Sequence, residues 1–153
     1  MNVEIARAKP ADASVLSAIA CAAKRHWGYP ASWLEAWTEG LTLTPEYVEA
    51  HAVYTASAAG EIVGFHALVM KNNEAILDHL WVVPTAMNSG VGRALFFHAE
   101  KYAAVAGATK LMIEADPHAE GFYLRMGAVT VGQAPSPVAG TPRSLPVMEK
   151  RLS

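Results

Sequence analysis

The hydrophobic pattern begins with a weak alternation from Val3 to Ala8, the two-residue period of a strand. Pro10 and Asp12 are start signals for a helix over Ala13 to His26, which Trp27-Gly28-Tyr29-Pro30 breaks. Ser32 caps a short helix from Trp33 to Glu39, and Gly40 ends it. Thr44-Pro45-Glu46 opens a helical turn through Ala50. Two strands follow, Ala52 to Ser57 and Ile62 to Met70, joined at Ala59-Gly60. After the turn Lys71-Asn72-Asn73, a fourth strand runs from Glu74 to Val83 and stops at Pro84. Its apolar positions Leu77, Leu80 and Val82 break strict alternation once, which predicts a bulge. Leu95, Phe96, Ala99 and Tyr102 share one face of a helix over Val91 to Ala106, closed by Gly107. A strand at Lys110 to Ala115, a helix at Pro117 to Met126, a strand at Ala128 to Gly132, a loop at Gln133 to Pro142 and a last strand at Leu145 to Leu152 complete the chain.

This order predicts one α/β domain over residues 1–153. Apolar residues make up 52% and charged residues 17%, a globular composition. A net charge of −2 carries no basic excess, so no nucleic-acid partner is expected. Cys21, the only cysteine, sits in an apolar run and reads as a core residue. Glu4, Arg7, Lys9 and Asp12 interrupt any secretory pattern, and no apolar run reaches the ~18 residues of a membrane span. The expectation is a cytoplasmic protein with no membrane partner.

The chemistry concentrates where the fourth strand meets the next helix. Gly90 and Gly92 stand at that helix start, and Arg93 adds a cation. A helix start offers four unpaired N–H groups and the positive end of the macrodipole, and glycine admits close approach of phosphate oxygens. A lone Gly-x-Gly is equally a tight turn. Leu95 occupies the place of the dinucleotide fingerprint's third glycine, and no Gly-Lys-Ser/Thr follows, so neither common phosphate motif is present. No Gly-x-Ser-x-Gly hydrolase elbow occurs.

Two segments together resemble the GNAT superfamily of N-acetyltransferases. The first is Leu80-x-Val82-x-Pro84, then Gly90-Val91-Gly92-Arg93-Ala94-Leu95, similar to the family's Q/R-x-x-G-x-G/A cofactor motif. The second is Asp116-Pro117-x-Ala119-x-x-Phe122-Tyr123-x-x-x-Gly127-Ala128, similar to N-x-x-A-x-x-F-Y-x-x-x-G-F. Met87 replaces the Gln or Arg, Asp116 the Asn, and Ala128 the Phe. The resemblance implies the GNAT fold, a central mixed and mostly antiparallel sheet flanked by helices, with acetyl-CoA as co-substrate. It implies cofactor contact by Leu80, Trp81, Val82 and Val83, by Asn88, Ser89, Gly90, Val91, Gly92, Arg93 and Ala94, and by Asp116, Ala119, Phe122 and Tyr123.

Tyr123 is then the candidate acid that protonates the leaving thiolate; otherwise it is an amphipathic core tyrosine. For the base, Asp78 and His79 adjoin on the fourth strand, where neighbours face opposite sides unless a bulge intervenes. His66 and a bound water are further candidates. His26, Trp27, Tyr29, Trp33 and Trp37 cluster near the first interhelix loop, which borders the acceptor site in this family. His26, Trp27, Tyr29 and His66 are expected to touch substrate, and Arg143 either anchors a carboxylate or lies on the surface. His51, His98 and His118 lack metal-ligand spacing, so no metal is expected, and they read as surface or helix-end residues. The expected activity is acetyl transfer from acetyl-CoA to a primary amine of a small molecule. The alternatives are acetylation of a protein lysine or N-terminus, and a non-catalytic acyl-CoA sensor. The last strand and the loop before it are the expected contact of a homodimer.

Overall fold

The computed structural model describes residues 2–152. Its strands are β1 (Glu4–Arg7), β2 (Ala52–Ala58), β3 (Glu61–Lys71), β4 (Glu74–Val82), β5 (Lys110–Glu114), β6 (Val129–Pro135) and β7 (Ser144–Arg151). Its helices are α1 (Ala13–Arg25), α2 (Ala31–Leu41), α3 (Pro45–Ala50), α4 (Val91–Val105) and α5 (Glu120–Arg125). The strands form one sheet in the order β1-β2-β3-β4-β5-β7-β6. Every pairing is antiparallel except β4 with β5. The fold is therefore the mixed, mostly antiparallel α/β sheet that the sequence predicts. Among the described residues no helix is long and apolar enough to cross a membrane.

Apolar side chains cover both faces of the sheet. On one face, α4 sets Phe96 and Ala99 against Leu77 of β4, Leu111 and Ile113 of β5, and Met148 of β7. On the other, α1 sets Leu16, Ile19 and Ala20 against Val53, Phe65 and Ala67, with Val48 of α3 alongside. Cys21 packs at the edge of this second core, as its apolar neighbours predict.

The helix expected over Pro117 to Met126 is a 3-10 turn, Pro117–Ala119, followed by α5, and three other boundaries differ from the sequence expectation. Helix α2 starts at Ala31 behind Pro30, so Ser32 lies inside its first turn and caps nothing. Gly40 does not end α2, because burial of Leu41 in the α1 core holds one more residue in the helix. Strand β6 runs on to Pro135, inside the stretch predicted as loop, because it pairs with β7 as far as Pro135 opposite Ser144. Strand β6 is the sheet edge, where a proline costs no ladder bond on the open side.

Candidate active site

The site begins where two parallel strands separate. The β4–β5 ladder holds from Glu74 opposite Lys110 to Ile76 opposite Met112, and no further. Beyond Ile76, β4 keeps β3 on one side and is open on the other. A cavity of about 670 Å³ occupies the gap, lined by β4 from Leu77 to Val82, by Ile113 to Asp116, and by Ala119, Phe122 and Tyr123. Of the predicted cofactor residues, Leu80, Trp81, Val82, Asn88, Gly90, Gly92, Arg93, Asp116, Ala119, Phe122 and Tyr123 line this one cavity. Met87, in the Gln/Arg position of the motif, lines it too.

The start of α4 fits an anion. Gly90 is its N-cap with φ 91°, and nothing lies within 4 Å of where a Cβ would stand. Asn88 also has a positive φ, 62°. The first intrahelical bond runs from the Ala94 N–H to the Gly90 carbonyl at 3.0 Å, which leaves the N–H groups of Val91, Gly92 and Arg93 ahead of it without a helical acceptor. A Cβ on Gly92 would only touch the Phe122 ring, at 3.4 Å, so packing by itself does not demand glycine there. Two backbone N–H groups among the expected cofactor residues already have acceptors within the chain. The Ala94 N–H is taken by that helical bond, and the Val83 N–H by the Val63 carbonyl at 2.9 Å. The Ser89 hydroxyl is likewise occupied, donating to the Ala86 carbonyl, and Val91 turns its side chain into the core.

The bulge decides how the acid–base candidates are placed. Ala67 pairs with His79 and Leu68 with Leu77, so Asp78 is the extra residue of β4. Leu77 and Leu80 pack toward α4. Asp78 and His79 both turn to the α1 and α3 side, where the Tyr47 hydroxyl donates to the Asp78 carboxylate. The His79 Nε2 lies 3.8 Å from the same carboxylate. The Trp81 indole N–H donates to the His79 Nδ1 at 2.9 Å. An indole nitrogen only donates, so the Nδ1 is an acceptor and the neutral ring carries its proton on Nε2. Burial pulls the His79 value below the ordinary one, against the opposing pull of Asp78, which favours that neutral ring. Its one lone pair is thus engaged by Trp81. Asp78 is 43% exposed at its side chain and faces the cavity with oxygen capacity to spare. Tyr123 is buried against Phe96 and Phe122 while lining the cavity. Burial, then the Asp116 charge, push its phenol far above the usual range, so it holds its proton.

The predicted aromatic cluster forms, and it surrounds charges that the sequence did not single out. Lys24 of α1 reaches Asp116 at 2.5 Å. The Tyr29 hydroxyl donates to Asp116 at 3.0 Å and accepts from Arg143 Nη2 at 3.0 Å. His118 donates its backbone N–H to Asp116 at 2.9 Å, and its Nδ1 lies 3.0 Å from the same oxygen. The His118 ring stacks on Trp27 at 4.7 Å, and both line the cavity with His26. Arg143 is no surface arginine: its side chain is 10% exposed and lies over Trp37, 4.9 Å from the ring centre. Burial raises the Asp116 value, but Lys24 and then His118 outweigh it and hold the carboxyl below its ordinary range. For Lys24 burial wins and its value falls despite Asp116. Burial and Asp116 push the Tyr29 phenol up to about 12, so it stays a donor.

This pair makes a stability prediction. Lys24→Met leaves Asp116 buried with weaker partners, and breaking such a pair costs about 3–5 kcal/mol. Because Arg143 stands 3.7 Å from Asp116, a loss at the low end, about 3 kcal/mol, is expected in urea unfolding. The Asp116 value is depressed on folding, so its contribution is complete above the unfolded value of 3.8 and fades as pH falls through the lower folded value. The gap between wild type and variant should narrow over that acid range.

His66 is not brought to this cavity. It is fully buried on the α4 face, stacked on Tyr54, with its Nε2 2.9 Å from His98 Nδ1. It pairs with Leu80, and paired residues share a face, so it lies across the sheet from His79. Burial, with His98 adding to it, pulls its value down to about 3. The expectation that His66 touches substrate or acts as base is corrected on that geometry. The surface placement of His98 is corrected with it, since His98 caps the His66 ring; His118 is exposed and at a helical turn as expected, and it also lines the cavity.

Residues 22–141 match the model of the acetyltransferase (GNAT) domain. A comparison with curated proteins finds no match. Solved structures of the same fold include a GCN5-related N-acetyltransferase of Rhodopseudomonas palustris, at TM-score 0.84 and 23% identity over 99% of this chain and 97% of that one. The paia N-acetyltransferase of Thermoplasma acidophilum, in complex with coenzyme A, matches at TM-score 0.77 and 21% identity over 99% of both chains. The yncA protein of Salmonella typhimurium, with its cofactor acetyl-CoA, matches at 0.75 and 18% over 100% of this chain and 95% of that one. The domain match covers most of the chain and takes in both segments that line the cavity, and on that ground the chain belongs to the GNAT acetyltransferase family.

Proposed function

We propose that this chain is an acetyl-CoA-dependent N-acetyltransferase acting on a primary amine of a small molecule. The observation that carries the reading is that one cavity is lined by the free start of α4, the open edge of β4, the Tyr123 phenol and the Asp78 carboxylate. Relatives of the same fold hold coenzyme A and acetyl-CoA, which supports the choice of donor. Acetyl-CoA supplies an activated thioester, so that a C–N bond forms as a C–S bond breaks. The N–H groups of Val91, Gly92 and Arg93 bind the pyrophosphate at the helix start. The open edge of β4 at Trp81 and Val82 orients the pantetheine amides and offers an N–H to the thioester oxygen. Asp78, held by Tyr47, takes the proton of the attacking amine. Tyr123 gives its proton to the departing sulfur.

The test is release of free thiol from acetyl-CoA with a panel of amines. Tyr123→Phe keeps the ring packed on Phe96 and Phe122 and removes only the hydroxyl. A thiol with an ordinary value of ~8.5 leaves without much help, so a fall of about 10²-fold in the single-turnover rate is expected, with coenzyme A affinity unchanged. An unchanged rate would make Tyr123 a packing residue. No thiol release with any amine, despite coenzyme A binding, would favour the sensor.

A further inference from the structure

The cluster beside the cavity holds more positive than negative charge. Lys24, Arg143 and Asp116 come from α1, the approach to β7 and the end of β5, and their side chains are 10%, 10% and 8% exposed. Two cations share one carboxylate. Its oxygens already meet Lys24, Tyr29 and His118. Arg143 spends one N–H on Tyr29, and a guanidinium has five. Among the described residues, the Arg143 Nε and Nη1 are not sealed off without a partner, so these two nitrogens keep access to solvent.

The surroundings are aromatic. The Trp37 ring lies 4.2 Å from Lys24 Nζ and 4.9 Å from Arg143 Cζ, and Tyr29 lies within 5.3 Å of both. Rings that displace water raise the strength of each charge interaction near them. Trp81 lies 5.9 Å from Lys24 on one side and bonds His79 on the other. Lys24 and Asp78 line the same cavity. Lys24 and Asp116 thus border the cavity with Arg143 behind them, 3.7 Å from Asp116, while Asp78 presents a carboxylate where an amine must lose its proton.

We infer that the acceptor is a primary amine carrying its own carboxylate, an amino-acid-like molecule whose carboxylate meets Lys24 and Arg143 while its amine meets Asp78. This rests on the acetyl-transfer reading of the cavity. A carboxylate completes the charge of the cluster, and Arg143 offers it a planar, forked donor. A diamine or a lysine-rich peptide would bring another cation toward a cluster that already sets two cations against one carboxylate, which the charge balance disfavours.

The test pairs each amino acid with its carboxamide and its decarboxylated amine, and adds a diamine and a lysine peptide, using the full chain and acetyl-CoA. The acid should be acetylated with kcat/KM about 10–100-fold above its carboxamide, the scale of one or two charge-assisted hydrogen bonds. Arg143→Gln should move that ratio toward 1, and Arg143→Lys should recover part of it. Calorimetry with coenzyme A and the same acids and carboxamides asks the question without turnover and without a variant. Equal rates and equal binding for acid and carboxamide would overturn the inference and leave acetyl transfer standing. Preferential binding of acids with no thiol release would keep the carboxylate site and overturn the transfer reading.

Discussion

Gly90→Val should weaken coenzyme A binding by about 10²–10³-fold while leaving a folded protein. Two costs add. A residue other than glycine held at a left-handed backbone position costs about 1–3 kcal/mol, and a β-branched one sits at the upper end. At φ 91°, the introduced valine either holds this strain or turns the loop and moves the amides behind it. Each lost hydrogen bond to a charged phosphate costs a further 1.5–3 kcal/mol or so. The fold survives because nothing stands within 4 Å of the new Cβ and Gly90 is exposed. Gly107 supplies the control. It has φ 95°, equally open space and a place past the far end of α4, away from the cavity. Gly107→Val should lower the melting temperature comparably and leave affinity alone. Calorimetric titration of both variants separates strain from recognition. Equal affinity in Gly90→Val and wild type would remove the phosphates from the start of α4.

Most of the fold was legible because its elements are locally consistent. The turns at Ala59-Gly60 and Asn72-Asn73 flank strands, and β2, β3 and β4 pair across them as the pattern predicts. Two of the misjudged boundaries share one cause, tertiary contact overriding a local signal. Gly40 is a stop signal by propensity, but Leu41 gains a core. The prolines after Gln133 suggest a loop, but β7 offers a partner as far as Pro135.

The cofactor half of the site was legible because a helix start and its glycines are contiguous in sequence. The acceptor half is assembled from residues up to 114 positions apart, and no local pattern announces that. Lys24 did leave a signal. It follows Leu16, Ile19, Ala20 and Ala23 at helical spacing, so it falls on the buried stripe of α1, where a lysine needs a partner. His118 left none, because two residues after Asp116 its role depends on the turn at Pro117. His66 misled because a histidine on a central strand has good intrinsic chemistry on either face, and only the register shows which. The bulge is the opposite case. One break in the alternation of β4 was visible, and it brings Asp78 and His79 to the same face.

That shared face makes Asp78→Asn the sharpest test of the chemistry. Asparagine keeps an oxygen to accept from Tyr47, so the geometry of β4 should persist and only proton uptake is lost. General base catalysis contributes about 10²–10⁴-fold, and a fall in kcat/KM of about 10²–10³-fold near neutral pH is expected. The deficit should depend on pH. Without a base, the variant relies on acceptor molecules already deprotonated in solution, a small fraction below an amine value of roughly 10. That fraction rises about tenfold per pH unit, so the deficit against wild type should shrink as the solution becomes more alkaline. His79→Gln should behave otherwise. Its Nδ1 lone pair is engaged by Trp81 and burial keeps the ring neutral, so its loss should cost less than about tenfold and leave the shape of the profile intact. Tyr47→Phe should fall between them, because Asp78 then keeps its charge and loses its anchor. Rates are best taken under single turnover, so that product release does not mask the proton transfer. If His79→Gln instead shows the large deficit that shrinks with pH, the base is the imidazole, and its bond from the Trp81 indole must open before each turnover.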